Sequence, residues 1–398
     1  MTAASITLPA APPAAAPLRA PAPLTVKAVR SVQAFAHIAA DWNQLHERAA
    51  GASPFTAWAW QFEWWRVYGA GRSLHILTAV RDGELCGVLP LYVETQTTLG
   101  LPVRVARLVG MGGDTYPDDL GPFFSPECEG EARQALIDAA LGSHDWDVIT
   151  LEDMDSRLPF GRELEAAAAG RGMRSHSEPN ERIVYIDLPD SWEAYLRTIS
   201  RNRRSKIRSQ RKKLHNETAA RFHVWSDAAR IDEAFDNLVA LHHKRWRSAG
   251  QESESFRTPE YLDFHRSVVR GSLLRGALRF YVLEMNGKPA AMLYALRFRG
   301  RVFIVQSGFD PDLARYRPGL VLLGHAIQHA IEEGNKVFDF LRGEHSYKEH
   351  LAGSEREGEI VSACRDTLAG RAWHLRHVQL PALKERVRPL ARRLGLAK

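Results

Sequence analysis

Two stretches of this chain carry the same order of local signals, and that repetition constrains the fold more than any single motif. The first opens at LHILTAVRDGELCGVLPLYVE, 74–94, where apolar runs flank Asp82-Gly83, a dipeptide that favours a two-residue hairpin turn. A loop, the helical stretch EARQALIDAALGS and the strand-like WDVITLE follow. The second opens at LRFYVLEMNGKPAAMLYALRF, 278–298, with Asn286-Gly287 at the turn and a further strand, RVFIVQSGF, across Arg299-Gly300. It continues through a loop, the helix GLVLLGHAIQHAIEEG and the strand KVFDFLR. Setting Gly83 against Gly287 aligns the hairpins without a gap. Both stretches therefore read strand, turn, strand, strand, loop, helix, strand, which predicts a duplicated α/β unit built on a mixed sheet of the α+β kind.

A length of 398 residues fits two such units better than one core. Between them lies a bridge that reads as helical: SWEAYLRTISRNRRSKIRSQRKKL, then IDEAFDNLVALHHKRWRSAG, with Ile231, Phe235, Leu238 and Leu241 at helical spacing. The expected division is a loose Ala/Pro leader over 1–24, a first domain over 25–185, a second domain with the bridge over 186–370, and a basic tail over 371–398. The leader has Arg19 as its single charged side chain and lacks the basic start and continuous apolar stretch of a secretory signal.

Charge is concentrated, not spread. RNRRSKIRSQRKKL, 201–214, holds eight Lys or Arg and no acid, and the tail from Arg371 holds eight against Glu385 alone. The whole chain is +6, so the remainder sums to about −9. A protein built to coat nucleic acid would spread basicity over a face. Cys86, Cys128 and Cys364 are scattered and form no CxxC pair or Cys/His cluster, which disfavours a disulfide framework or a bound metal and fits a reducing cytoplasm. No apolar run is long enough to span a bilayer.

Two segments carry candidate chemistry. In DPDLARYRPGLVLL the strand-to-helix turn would expose backbone N–H groups at the positive end of a helix. Gly319 lets a ligand approach, Pro318 suits a helix start, and Arg315 and Arg317 add positive charge. In FDFLRGEHSYKEHL, Asp339 sits within an apolar strand, and Arg342, Glu344, His345, Tyr347 and Lys348 crowd its exit. That cluster offers a base, a phenolic acid and cations within a short reach. A buried Asp339 ion pair that pins the loop accounts for the same pattern equally well.

Together YVLEMNGKPAAMLYAL, VQSGFDPDLARYRPGLVLL and FDFLRGEHSYKEHL resemble the GNAT-type acyl-CoA N-acyltransferases. The branch they look like is the CelD-like group linked to polysaccharide biosynthesis, itself related to the tandem Fem-type aminoacyl ligases. PFTAWAWQFEWWRVYG and LHHKRW fit the same resemblance, which extends over about residues 40 to 365. It implies tandem GNAT-like domains joined by the basic helical bridge. It implies acetyl-CoA or another acyl-CoA as donor, no metal, and direct transfer to an amine or hydroxyl of a sugar or envelope precursor. Val305, Gln306 and Ser307 would follow the pantetheine arm, and Arg317, Gly319 and Leu320 would hold the pyrophosphate. Tyr347 would protonate the thiolate, with Asp339 or Glu344 taking the amine proton. Arg203, His242, Arg245, Asp114, Tyr116, Arg342 and Lys348 would face the acceptor. The first copy has no counterpart of the RPG loop, so only the second is expected to bind the donor.

The basic run reads as an amphipathic helix, with Leu196, Ile199, Ile207 and Leu214 on one stripe and Arg203 within it. It would attract the phosphates of CoA or an anionic acceptor. An aminoacyl-tRNA-dependent ligase would use the same helix to hold tRNA. The tail PALKERVRPLARRLGLAK, with Leu383, Val387, Leu390 and Leu394 on one stripe, suits either packing on the body or the inner face of a membrane.

Overall fold

A computed structural model describes residues 22–343, 348, 350, 351 and 353–393. In the first half the chain forms β1 (Thr25–Val29), α1 (Val32–His37), α2 (Ala39–His46), α3 (Trp58–Tyr68), β2 (Ser73–Arg81), β3 (Glu84–Thr98) and β4 (Leu101–Leu108). It goes on through β5 (Phe123–Phe124), α4 (Glu129–Gly142), β6 (Val148–Asp155), α5 (Phe160–Gly170) and β7 (Arg174–Asp187). The second half begins with α6 (Trp192–Thr198), α7 (Arg201–Glu217), β8 (Ala220–Val224), α8 (Ile231–Ser248) and α9 (Pro259–Leu274). Next come β9 (Leu278–Met285), β10 (Lys288–Phe298), β11 (Arg301–Phe309), α10 (Pro318–Glu332), β12 (Val337–Asp339) and β13 (Ser354–Cys364). Helices α11 (Leu368–His374) and α12 (Leu380–Arg393) end the described chain.

The duplication is visible turn by turn. Asp82-Gly83, Leu99-Gly100, Asn286-Gly287 and Arg299-Gly300 each join two antiparallel strands, and all eight residues have positive φ. Two-residue loops of that hand match the twist of the strands they connect. At Arg299, a side chain that disfavours this conformation, the guanidinium donates to the carbonyls of His46, Glu47 and Ala49 at 2.7–3.0 Å. It thereby closes the C-terminal end of α2 and ties the second half to the first.

All the strands belong to one sheet, ordered β1-β2-β3-β4-β6-β13-β7-β12-β11-β10-β9-β8, with β5 on β3. In each half a helix connects two parallel neighbours, α4 between β4 and β6, and α10 between β11 and β12. The halves exchange their last strands: β13 lies against β6, and β7 lies against β12. β7 and β13 also pair with each other, from Ser354↔Tyr185 to Cys364↔Arg174. The boundary drawn at 185–186 therefore falls inside a strand that both halves use. One apolar core runs from Trp42 and Leu77 to Met292 and Tyr294, and a second gathers α6, α7 and α10 over the far end of the sheet.

The bridge differs from its sequence reading in two ways. Leu196 and Ile199 do not continue into the basic helix: Ile199 is extended, and Ser200 caps α7 by accepting from the N–H of Arg203. An edge strand, β8, then interrupts the helical stretch before α8. All four residues of the expected stripe are nevertheless buried.

Candidate active site

Beyond Phe303↔Asp339 the parallel pairing of β11 and β12 stops. Val305 is an extra residue in β11, since Tyr294 faces Gln306 while Ala295 faces Ile304. The two strands part, leaving a cavity of about 450 Å³ whose apolar wall includes Leu293, Phe309, Leu320 and Phe340. The start of α10 closes one end. Arg317 adopts φ 50° immediately before Pro318, so the chain turns sharply and the first-turn N–H groups of Gly319 and Leu320 have no intrahelical acceptor. The first turn of α10 holds no acid, and a Cβ at position 319 would stand 3.1 Å from the Phe309 ring. Arg203 and Arg317 line this end. Lys206 stands near enough that Arg317, then desolvation, then Arg203 lower its pKa. Three cations and free helix-start donors make an anion site at the mouth of an apolar slot.

A second cavity, of about 500 Å³, meets the first across Arg245, Ile304, Ser307 and Phe340. Both halves build it. From the first half comes the loop bearing Asp114 and Tyr116; from the second come α8, α9 and the segment 253–258. The Asp114 carboxylate accepts from the hydroxyls of Tyr68 and Thr258. Tyr116 is exposed at the rim. His242 is buried, and desolvation lowers its pKa to about 4, so the ring is neutral near pH 7. Its Nδ1 lies 2.9 Å from the carbonyl of Ser307, a group that can only accept, which assigns the ring proton to Nδ1. Nε2 then accepts from the Ser253 hydroxyl at 2.7 Å. Both nitrogens are engaged, so His242 fixes the opened strand to the 253–258 segment. Arg245 lies over the Phe309 ring at 5.3 Å, with no acidic partner among the described residues.

The expected arm-binding residues divide between the cavities. Ser307 lines both, whereas Val305 and Gln306 line the polar one. The Gln306 amide donates to the hydroxyls of Ser255 and Tyr261 at 2.9 and 3.1 Å. Arg317, Gly319 and Leu320 stand together at the slot mouth, as does Arg203.

Three of the expected site residues are engaged within the protein. Asp339 is fully buried, and its carboxylate accepts from Arg356 at 3.1 Å, Arg301 at 3.4 Å and the N–H of Leu341 at 2.9 Å. It belongs to the buried ion pair that the sequence left as an alternative to catalysis. Arg342 gives its backbone N–H and Nε to Asp118, at 2.7 and 2.9 Å, and another nitrogen to Asp153. Two buried carboxylates thus hold it, and it also lines the polar cavity. The Lys348 ammonium donates to the carbonyls of Phe340, Leu341 and Arg342 at 2.7–3.1 Å, and burial lowers its pKa to about 8. It pins the strand exit that walls both cavities. Glu344 and Tyr347 lie outside the described residues.

Sequence reasoning missed Arg356, whose buried guanidinium joins Asp119 of the first half to Asp339 of the second. It also missed the Ser253, Thr258 and Tyr261 hydroxyls.

Residues 201–349 match the family model described as an acetyltransferase (GNAT) domain. The second half therefore carries a domain of acyltransferase type. Among solved structures, FemX is similar at 12% identity over 85% of this chain and 98% of that one, with a TM-score of 0.60. A conserved protein of unknown function from Bacteroides thetaiotaomicron VPI-5482 is similar at 11% identity, over 86% and 100% of the two chains, with a TM-score of 0.52. These likenesses show a shared fold across both halves. No curated protein matches the chain.

Proposed function

We propose that the second half binds an acyl-CoA in the slot between β11 and β12, and that the chain transfers the acyl group to an amine held in the adjoining polar cavity. The parting of β11 and β12 beside the start of α10 carries this reading. It supplies an apolar groove for a pantetheine arm and an anion site for the diphosphate, and it opens onto a second cavity at Ser307 and Arg245. In the transfer the amine nitrogen bonds to the thioester carbonyl carbon, the C–S bond breaks, and the amine proton ends on the departing thiolate. Asp114, already accepting from two hydroxyls, keeps lone pairs for an acceptor N–H or O–H. A sugar amine or hydroxyl of an envelope or polysaccharide precursor suits the size and polarity of the cavity, and agrees with the CelD-like resemblance of the motifs. No helix among the described residues is long and apolar enough to cross a membrane.

Isothermal titration with acetyl-CoA tests the reading. The wild-type chain should bind. Gly319→Glu, which brings a carboxylate to the anion site and a Cβ to within 3.1 Å of Phe309, should weaken binding by about tenfold or more. Absence of binding by the wild type, or unchanged affinity in the variant, would overturn it.

A further inference from the structure

The donor slot accounts for only part of the charge on α7. Ile207 and Leu214 fix one face of this helix against the second core. Arg203 and Lys206 then turn toward the slot mouth and Arg317. Arg201, Arg204, Arg208 and Lys212 recur every three or four residues along a different face, with Ser205 and Ser209 among them, and line a shallow open groove. Among the described residues only Arg208 of these four has an acidic partner, an exposed pair with Glu193. Over 17 residues the helix is about 25 Å long, so a donor whose phosphates meet Arg203, Lys206 and Arg317 leaves most of the outer stripe unused.

We propose that this stripe docks an acidic acyl carrier protein, which delivers its phosphopantetheine-bound acyl group into the slot. The inference rests on the reading of the slot as an acyl-pantetheine site. Charge selects an acidic partner, and position selects the class: the stripe and the slot mouth are two faces of one helix. The outer face bears no large apolar side chain to enter a bilayer. It also bears no Phe, Tyr or Trp on which bases could stack. The slot lining of Leu293, Phe309, Leu320 and Phe340 suits an acyl-pantetheine arm, which a carrier presents as CoA does. The chemistry is the transfer already described. The thioester C–S bond breaks, the C–N bond to the acceptor forms, and the amine proton ends on the thiol of the carrier's arm.

Titration calorimetry on the full chain distinguishes the donors. The probes are a bacterial acyl carrier protein acetylated on its arm, the same carrier without an arm, acetyl-CoA and bulk tRNA. The acetylated carrier should bind more tightly than the armless one, and should weaken steeply between about 50 and 200 mM salt. Combining Arg201→Glu, Arg204→Glu and Lys212→Glu should weaken the acetylated carrier by about tenfold or more while acetyl-CoA affinity stays within about twofold, which also reports that the variant folds. Failure of the wild type to bind the carrier, or equal weakening of carrier and acetyl-CoA, overturns the proposal and leaves the acyl-CoA reading standing. Stripe-dependent binding of tRNA without binding of the carrier overturns it in favour of RNA. If neither acetyl-CoA nor the carrier binds, the reading of the slot itself falls.

Discussion

Both halves place a helix between parallel strands, β4-α4-β6 in the first and β11-α10-β12 in the second, yet the two helix starts are chemically opposed. The first turn of α4 carries Glu129 and Glu131, whose charges repel an anion from the helix N-terminus. The first turn of α10 carries no acid, follows Arg317, and faces Arg203 and Lys206 across the slot mouth. Space differs as sharply. Beside the start of α4 the cavity is about 20 Å³, room for about one water, whereas the slot at α10 is about 450 Å³. The same framework therefore does two jobs. The second half opens its parallel pair into a slot, and the first lends a loop, with Asp114 and Tyr116, to the wall of the neighbouring cavity.

This contrast holds only while the halves stay locked together, and Arg356 is where the lock is most vulnerable. Arg356→Ala would leave Asp119 and Asp339 buried without their shared cation, and should cost about 3–5 kcal/mol in urea unfolding. A loss below about 1 kcal/mol would mean that the exchanged strands suffice without it.

Acid should separate the halves next. Burial lowers the pKa of His242 and His325 to about 4 and of His265 to about 3 in the second half, and of His46 to about 4 in the first. Between the unfolded value of 6.5 and these folded values the unfolded chain binds more protons, so stability falls as pH falls through that window. Each ring withdraws on the order of 3 kcal/mol when the shift is fully expressed. Unfolding followed by hydrogen exchange at pH 7 and pH 4.5 should show protection lost first around α8, α9 and α10. Protection lost evenly across both halves would break the contrast. The smallest effect is expected in the first half: Glu129→Gln with Glu131→Gln should leave acetyl-CoA affinity within about twofold, because the cavity beside α4 has room for about one water.

Much of this framework was legible in local signals. Asp82-Gly83 and Asn286-Gly287 announced equivalent hairpins, and Pro318-Gly319 marked the start of α10. Leu99-Gly100 has no Asn or Asp to announce its turn, so the third strand of the first copy was expected from the repeated order alone and its turn was not placed. The exchange of β7 and β13 depends on pairing between residues 174–187 and 354–364, which no local pattern encodes. Site residues followed the same rule. Gly319 and Arg317 stand at the start of α10, where the local pattern put them, whereas the surroundings of Asp339 turn on Arg356, Arg301 and a backbone N–H that the strand's own sequence does not reveal. The carboxylate in an apolar strand was a correct sign of a buried partner and a poor guide to which partner.

Equilibrium dialysis with radiolabelled acetyl-CoA tests the division of labour most directly. Saturation at one molecule per chain, with affinity weakened about tenfold or more by Gly319→Glu and untouched by changes at Glu129 and Glu131, is the predicted result. Two molecules per chain, or one whose affinity Gly319→Glu leaves unchanged, would contradict it.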